Sequence, residues 1–313
     1  MARREARAGS LHCKRSAPAR FPLSGFYRMS SPLIDCSTLA ARLGRDNVRV
    51  FDVRHDLARP GAGFQAYREA RIPGAIFLDV ETDLSGARTS TNGRHPLPAR
   101  AAFRQRMVEA GVGEDDLVVA YDAQGGAMAA RLWWMMRWIG HAQAAVLDGG
   151  WPAWLAQGLP VDDAPLDEQR ASSGAAASPL HLNEPLVGSV SADEVAANLE
   201  RPEFLVLDAR AHARYLGEVE PLDPVAGHIP GALNRPHTEN LAQDGRFKPA
   251  QALREEFAAL LGERAPHQVV HQCGSGITAC HNLLAMEHAG LTGSRLYPGS
   301  WSEWCADPLR PVA

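Results

Sequence analysis

The sequence lacks three features that would each indicate a particular class of protein: an excess of basic residues, a long apolar run, and paired cysteines. Its 313 residues carry a formal net charge of -4, whereas proteins that bind nucleic acid normally have a basic surface. Apolar runs are interrupted by Arg, Gly or Pro within a few positions, so none reaches the length that spans a bilayer. The sequence therefore predicts a globular protein with no nucleic-acid partner and no membrane segment.

The cysteines are few and widely scattered. Their odd number and irregular spacing do not fit a disulfide framework, and none of them forms a CxxC metal-binding pattern. We therefore expect free thiols, no metal, and a reducing compartment such as the cytoplasm. The five cysteines are Cys13, Cys36, Cys273, Cys280 and Cys305.

The first 28 residues differ from the rest in charge, since they contain seven Arg or Lys residues against the single acid Glu5. One interpretation is an organelle transit peptide, which would place the protein in an organelle matrix. The other, which we favour, is an extension ahead of a working start at Met29. Residues 1–28 are expected to be disordered in either case.

Four blocks of sequence occur twice in the same order, which indicates a duplicated domain. The offsets between matched blocks are 156, 157, 151 and 150 residues. We predict a first domain at 29–161, a linker at 162–184 and a second domain at 185–313. The pairs are VRVFDVR (48–54) with FLVLDAR (204–210), ARIPGAIFLD (70–79) with GHIPGALNRP (227–236), LVVAYDAQGG (117–126) with QVVHQCGSGI (268–277), and LDGGWPAW (147–154) with YPGSWSEW (297–304).

Each copy alternates apolar strand-like runs with helical patterns, which is typical of a parallel α/β sheet. Strands are predicted at 117–121 and 268–272, and helices at 99–110, 249–261 and 277–288. Ser or Thr capping signals at Ser37 and Ser191 predict a further helix at the start of each copy.

Cys273 lies between a predicted buried strand and a predicted helix, where ligands bind in parallel α/β sheets. The neighbouring Gly274 and Gly276 let successive backbone N–H groups converge on one point. The helix amino terminus adds positive potential. This arrangement favours a thiolate at Cys273 and predicts a cradle for an anionic sulfur.

Other roles for Cys273 are less consistent with the residues around it. A buried small hydrophobe is the common fate of a free cysteine, but it does not require two flanking glycines. A tyrosine-phosphatase loop places an Arg six residues after its nucleophile, where this sequence has Ala279. A cysteine protease would need a base that the sequence does not indicate.

The run CGSGITA (273–279), the GHIPGA segment and the run GSWSEW (299–304) resemble rhodaneses and 3-mercaptopyruvate sulfurtransferases. The resemblance covers roughly residues 33–310. It implies two tandem rhodanese-like domains, each a mainly parallel five-stranded sheet flanked by helices. It also implies a catalytic second copy that carries sulfur as a persulfide on Cys273, whereas the first copy has Asp122 at the matching position.

The resemblance further suggests roles for individual residues. Ser275 matches a serine that assists proton transfer, and Arg214 matches an arginine that binds the substrate carboxylate, although Arg214 could equally form a salt bridge. A second arginine of the family is replaced here by Leu222 and Asp223. The backbone that would cradle the anion is contributed by Gly274, Ser275, Gly276, Ile277 and Thr278.

These features predict a sulfurtransferase that moves sulfur from 3-mercaptopyruvate to cyanide or a thiol such as thioredoxin or glutathione. No metal or organic cofactor is expected, because the cysteine itself carries the group. Two alternatives stay open: a thiosulfate sulfurtransferase that uses the same cysteine, and a non-catalytic binding module with this fold.

Overall fold

The computed structural model describes residues 31–166 and 178–313. The predicted extension at 1–28, with Cys13, and the central part of the predicted linker lie outside these ranges. The two copies of the repeat form two five-stranded sheets in which every pair of neighbouring strands is parallel. The predicted fold class is therefore confirmed.

The first sheet has the strand order β1-β5-β4-β2-β3. Its strands are β1 (Leu33–Ile34), β2 (Val48–Asp52), β3 (Ile76–Phe77), β4 (Leu117–Tyr121) and β5 (Ala144–Leu147). Its helices are α1 (Cys36–Ala40), α2 (Ala62–Glu69), α3 (Arg100–Glu109), α4 (Ala129–Trp138) and α5 (Gly150–Ala156).

The second sheet repeats this arrangement with the order β6-β10-β9-β7-β8. Its strands are β6 (Gly188–Ser189), β7 (Leu205–Asp208), β8 (Leu233–Asn234), β9 (Val269–Gln272) and β10 (Arg295–Leu296). Its helices are α6 (Ala192–Glu200), α7 (His212–Tyr215), α8 (Ala250–Leu261), α9 (Ala279–His288) and α10 (Ser300–Trp304), with short 3-10 turns at His237–Asn240 and Pro266–Gln268.

The repeated sequence blocks correspond to a repeated contact in the structure. In each copy an arginine pairs with the aspartate two residues before it, at the end of a central strand. The guanidinium then stacks on the tryptophan of the fourth block, Arg54 on Trp151 at 4.8 Å and Arg210 on Trp301 at 4.7 Å. Such cation–π contacts hold the strand end against the last helix of each copy.

The two copies share one apolar core, in which α4 of the first copy packs against α9 of the second. The fully buried Trp134 and the nearly buried Trp133 belong to α4, and the buried Leu284 and Met286 belong to α9. The copies are therefore held together by apolar burial, which places the loop of one copy beside segments of the other.

Two helix starts differ from prediction by more than a single residue. The first helix is capped by Asp35 rather than Ser37, because the Asp35 carboxylate accepts the Thr38 N–H at 2.8 Å and also the hydroxyls of Ser37 and Thr38. Helix α9 begins at Ala279 rather than Ile277, since Gly276 with φ +80° keeps the chain in the loop. The Ser191 cap is as predicted, with a complete capping box to Glu194.

Acid is expected to destabilise this fold through two buried histidines. Burial lowers the pKa of His271 and of His281 to about 3 each, from an ordinary value near 6.5. Both stay neutral in the folded protein while the unfolded chain takes up protons. Stability is therefore complete above pH 6.5 and falls as the pH falls towards 3, by at most about 1.4 kcal/mol per pH unit for each group.

Thermal unfolding between pH 7.5 and 4 tests this, with His281→Gln expected to flatten the decline. The glutamine amide can replace the His281 Nε2 that contacts the Gly125 carbonyl at 3.0 Å. The same substitution at the exposed His267 is the control and should leave the slope unchanged. An unaltered slope in His281→Gln would contradict the assignment.

Candidate active site

Cys273 lies at the carboxyl end of β9, at the start of a loop that leads into α9. Its side chain is only 2% exposed. The N–H of Gly276 donates a hydrogen bond to the Cys273 Sγ at 3.1 Å. The loop therefore turns one backbone donor, that of Gly276, towards the sulfur, and the wider cradle of residues 274–278 stays a prediction.

The segment at the start of α10 holds this loop by hydrogen bonds. The Cys273 N–H donates to the Ser300 Oγ at 3.0 Å, and the Trp301 N–H donates to the Cys273 carbonyl at 3.0 Å. A Cβ at Gly276 would lie 2.2 Å from the Pro298 carbonyl oxygen. Only glycine fits this position, so the Gly276 backbone is fixed close to the sulfur.

Ser275 contacts a histidine of the first copy. Its Oγ lies 2.6 Å from Nδ1 of His95, and Nε2 of His95 lies 2.9 Å from Oε1 of Glu81. With Nε2–H donating to the carboxylate, Nδ1 is left to accept the Ser275 hydroxyl proton. Burial lowers the pKa of His95, although the neighbouring Glu81 opposes the shift, so the ring is neutral near pH 7.

A buried arginine of α4 donates hydrogen bonds to backbone carbonyls of both copies, next to the loop. Arg131 is fully buried, and its guanidinium donates to the carbonyls of Gly276 at 3.2 Å, His95 at 3.1 Å and Leu84 at 3.3 Å. Burial lowers its pKa, whereas Cys280 and Cys273 are the neighbouring groups that favour its charge. The side chain thus places a cation close to both cysteines.

Two further arginines lie over Gly274. Arg214 of α7, which the sequence suggested, is joined there by Arg94 of the first copy. A Cβ at Gly274 would lie 2.8 Å from Nη2 of Arg94 and 3.2 Å from Nη1 of Arg214. The absence of a side chain at Gly274 therefore leaves room for two guanidinium groups beside the cysteine.

The matching loop of the first copy is already filled by its own side chain. Asp122 is fully buried, and its carboxylate accepts four backbone N–H groups at 2.7–2.9 Å. The donors follow Asp122 in the loop and in the first turn of α4: Gln124, Gly126, Met128 and Ala129. This kind of strand–loop–helix junction therefore binds an anion, and in the first copy the anion is built in.

The remaining predicted positions have structural contacts. The Nδ1–H of His228 donates to the Tyr215 carbonyl, 2.9 Å away, and the His228 ring stacks on the Tyr215 ring. Cys36, Cys280 and Cys305 are buried, and burial raises the pKa of the Cys280 thiol to about 12. In the described ranges, no three His, Cys, Asp or Glu side chains are placed to hold a metal ion, and no helix there is long and apolar enough to cross a membrane.

Glu81, Arg94, His95 and Arg131 were not found from the sequence, because they belong to the copy without the cysteine. One signal was available. The offset between matched blocks falls from 157 to 151 between the IPGA block and the following strand, so the first copy has extra residues there. That interval contains Arg94 and His95.

Comparison with known proteins identifies the family of both copies. A family model described as a rhodanese-like domain matches residues 35–157 and 191–307. A probable 3-mercaptopyruvate sulfurtransferase of Pseudomonas aeruginosa is 44% identical over 286 residues, which cover 91% of this chain and 98% of that protein. A putative thiosulfate sulfurtransferase of Mycobacterium tuberculosis is 37% identical, with 90% of this chain and 96% of that protein covered.

Among solved structures, 3-mercaptopyruvate sulfurtransferase from Leishmania major superposes with a TM-score of 0.77 at 31% identity, covering 90% of this chain and 75% of that one. Both halves of the chain match the same domain model, and similar proteins extend over almost its whole length. The chain therefore belongs to the family of tandem-rhodanese sulfurtransferases.

Proposed function

We propose that this protein transfers sulfur from 3-mercaptopyruvate to a thiol or cyanide through a persulfide on Cys273, with the second copy (residues 185–313) catalytic. The observation that carries the proposal is the pairing of the loop cysteine with a proton relay. The Ser275 hydroxyl, two residues after Cys273, is hydrogen-bonded at 2.6 Å to a histidine that burial keeps neutral. The carbon fragment of this donor leaves as a carbanion. Its protonation needs such a relay.

The first half-reaction uses these groups in order. The Cys273 thiolate attacks the donor sulfur, the new S–S bond forms, and the C–S bond breaks with its electron pair on carbon. His95 takes the donor's thiol proton through Ser275 and returns it by the same hydroxyl to the enolate carbon. Pyruvate leaves, and Cys273 holds the persulfide.

The persulfide anion is stabilised by groups that are already in place. The Gly276 N–H donates to the Cys273 Sγ, and the Arg131 guanidinium, which contacts the Gly276 carbonyl, contributes positive charge. Such preorganised dipoles need no rearrangement when charge appears. In the second half-reaction an acceptor thiol or cyanide attacks the outer sulfur and restores the thiolate.

The acceptor and the compartment are proposed from the chemistry of the persulfide. A persulfide is consumed by reduced thiols, so thioredoxin or glutathione in the cytoplasm is the proposed partner. Thiosulfate is the second candidate donor, because Arg94 and Arg214 both face the loop.

The test is a steady-state assay of the full-length protein with 3-mercaptopyruvate and with thiosulfate, followed by mass spectrometry after donor alone. We expect turnover with 3-mercaptopyruvate and one added sulfur atom on the Cys273 peptide. Turnover with thiosulfate alone would reassign the donor. Absence of turnover and of added sulfur with both donors would leave a binding module as the function.

A further inference from the structure

Arg131 differs from the other buried arginines of the described ranges because it has no carboxylate beside it. Each of the others forms an ion pair with an acid at 2.5–3.0 Å: Arg54, Arg71, Arg210 and Arg235. The groups close enough to favour the charge of Arg131 are two thiols, those of Cys280 and Cys273. A buried cation is costly unless an anion lies near it, so one of these sulfur atoms is the candidate for that anion.

The hydrogen bonds of the two thiols distinguish between them. The Cys280 thiol donates to the Gly276 carbonyl at 3.4 Å, which only the protonated form can do. The Cys273 Sγ instead accepts the Gly276 N–H at 3.1 Å, which suits a thiolate. Burial also raises the pKa of Cys280 to about 12, so that thiol stays neutral. The negative charge opposite Arg131 therefore belongs on Cys273.

Gly276 lies between the guanidinium and the sulfur. Its N–H donates to the Cys273 Sγ, and its carbonyl accepts from Nη1 of Arg131 at 3.2 Å. Nη2 of Arg131 donates to the carbonyls of Leu84 and His95, which belong to the first copy. Arg131 thus holds the residue that donates to the sulfur, and it is itself held by its own copy.

The matching position of the first copy is faced by a neutral side chain. Gly125 corresponds to Gly276 at the offset of 151 residues, and its carbonyl accepts the Nε2–H of His281 from α9 at 3.0 Å. Burial lowers the pKa of His281 to about 3, so the ring carries no charge. In the described ranges Asp122 accepts four N–H groups, whereas the Cys273 Sγ accepts one. The loop with fewer backbone donors is therefore the loop that faces a cation.

The other arginines beside the cysteine each have an acid of their own. Arg94 pairs with Asp223, and Arg214 pairs with Glu220 at 2.6 Å. Their positive charge is thus largely offset before any anion forms on the sulfur. Arg131 is the neighbour whose charge is left without a carboxylate in the described part of the chain.

We propose that Arg131 is the counter-ion of the sulfur anion on Cys273, both as thiolate and as persulfide, so that the first copy supplies the charge that the loop itself lacks. The assignment rests on the proposed sulfur transfer and adds a positioning residue to it. Arg131 acts through its charge and through the Gly276 peptide. Because this charge is in place before sulfur arrives, it needs no rearrangement when the persulfide forms.

Cys273→Asp and Cys273→Asn test the counter-ion without any sulfur transfer, because they place an anion or a neutral group of the same size at this position. With Arg131 present, the Tm of Cys273→Asp is expected to exceed that of Cys273→Asn by about 3 °C or more at pH 7.5. Combined with Arg131→Gln, which removes the charge and keeps an N–H donor, the order should reverse. A buried carboxylate without a cation is the costlier group.

Two further backgrounds separate charge from packing. Arg131→Lys keeps the charge with a different hydrogen-bond geometry, so Cys273→Asp should remain the more stable variant. Arg137→Gln is the matched control, because Arg137 lies on the same helix and packs on Trp133 but has its own partner in Glu287. The order should be unchanged there. The same order in Arg131→Gln as with Arg131 present would overturn the proposal.

The comparison with Arg131 intact covers the case in which the Arg131 variants do not fold. A higher Tm for Cys273→Asn than for Cys273→Asp would by itself overturn the proposal, since the carboxylate would then have found no counter-ion.

Arg131→Gln should also lower sulfur transfer from 3-mercaptopyruvate and from thiosulfate by a similar factor, about 10²-fold, because the sulfur anion is common to both donors. Arg131→Lys should recover part of this loss. Unchanged transfer in a folded Arg131→Gln protein would contradict the assignment. Absence of transfer by the unaltered protein with any donor is a separate result: it contradicts the proposed function, and the Tm comparison still decides the counter-ion.

Discussion

Cys273→Ser is expected to lower sulfur transfer from every donor by roughly 10³-fold or more, because the Cys273 sulfur is the proposed carrier of the transferred atom. Oxygen cannot replace sulfur here, since a serine cannot form the S–S bond on which the transfer depends. The N–H of Gly276, now 3.1 Å from Sγ, would face the smaller hydroxyl, so the fold should persist.

Steady-state rates and the mass of the donor-treated protein measure this effect together. Cys36→Ala is the control: Cys36 is also buried but lies in α1 of the first copy, and its removal should leave both readings as in the unaltered protein. Retained transfer in Cys273→Ser, or added sulfur on a different cysteine, would place the carrier elsewhere.

His95→Gln is expected to lower kcat with 3-mercaptopyruvate about 10²-fold, the usual contribution of a positioned acid–base group. The rate with thiosulfate should change little, because sulfite leaves without a carbon that needs a proton. The loss should therefore depend on the donor, which a general disturbance of the cleft would not produce.

The pH dependence of activity is a second test of the role of His95. Burial lowers the pKa of His95, and the neutral ring is the form that accepts the Ser275 proton. Activity with 3-mercaptopyruvate should thus be full near pH 7 and fall only as the pH drops below the ordinary histidine range. This acid limb should disappear in His95→Gln.

His141→Gln is the matched control, because His141 is also buried in the first copy with a pKa lowered by burial, yet it contacts the Asp116 carbonyl far along the chain from the loop. Its variant should keep the donor preference and the acid limb. Equal losses with both donors in His95→Gln would show that His95 acts only through the structure of the cleft.

The features that depend on local sequence pattern or on the repeat were predicted well from the sequence. The two parallel sheets follow from strand and helix patterns that recur in the same order at offsets of 150–157 residues, and the position of Cys273 follows from a strand end next to two glycines. Ser275 and Arg214 were found through resemblance, because they lie in the same copy and near the same motif.

The missing half of the site could not be predicted in this way. Arg94 and His95 lie about 180 residues before Cys273 and reach it only because α4 and α9 bury a common apolar surface. Local periodicity does not encode how two such surfaces dock. The start of α9 was misplaced for a similar reason, since the crowding of Gly276 against Pro298 depends on a distant segment.

The Asp122 carboxylate of the first copy can be compared with a persulfide on Cys273. A carboxylate carries its charged oxygens two bonds beyond Cβ, and a cysteine persulfide carries its outer sulfur the same two bonds beyond Cβ. In number of bonds and in charge, Asp122 thus corresponds to the sulfur-loaded cysteine. Its four N–H contacts show how such a loop coordinates a side-chain anion. The copy that lacks the loop cysteine holds permanently, in carbon and oxygen, an anion like the one that Cys273 would carry only between the arrival of one sulfur atom and its departure.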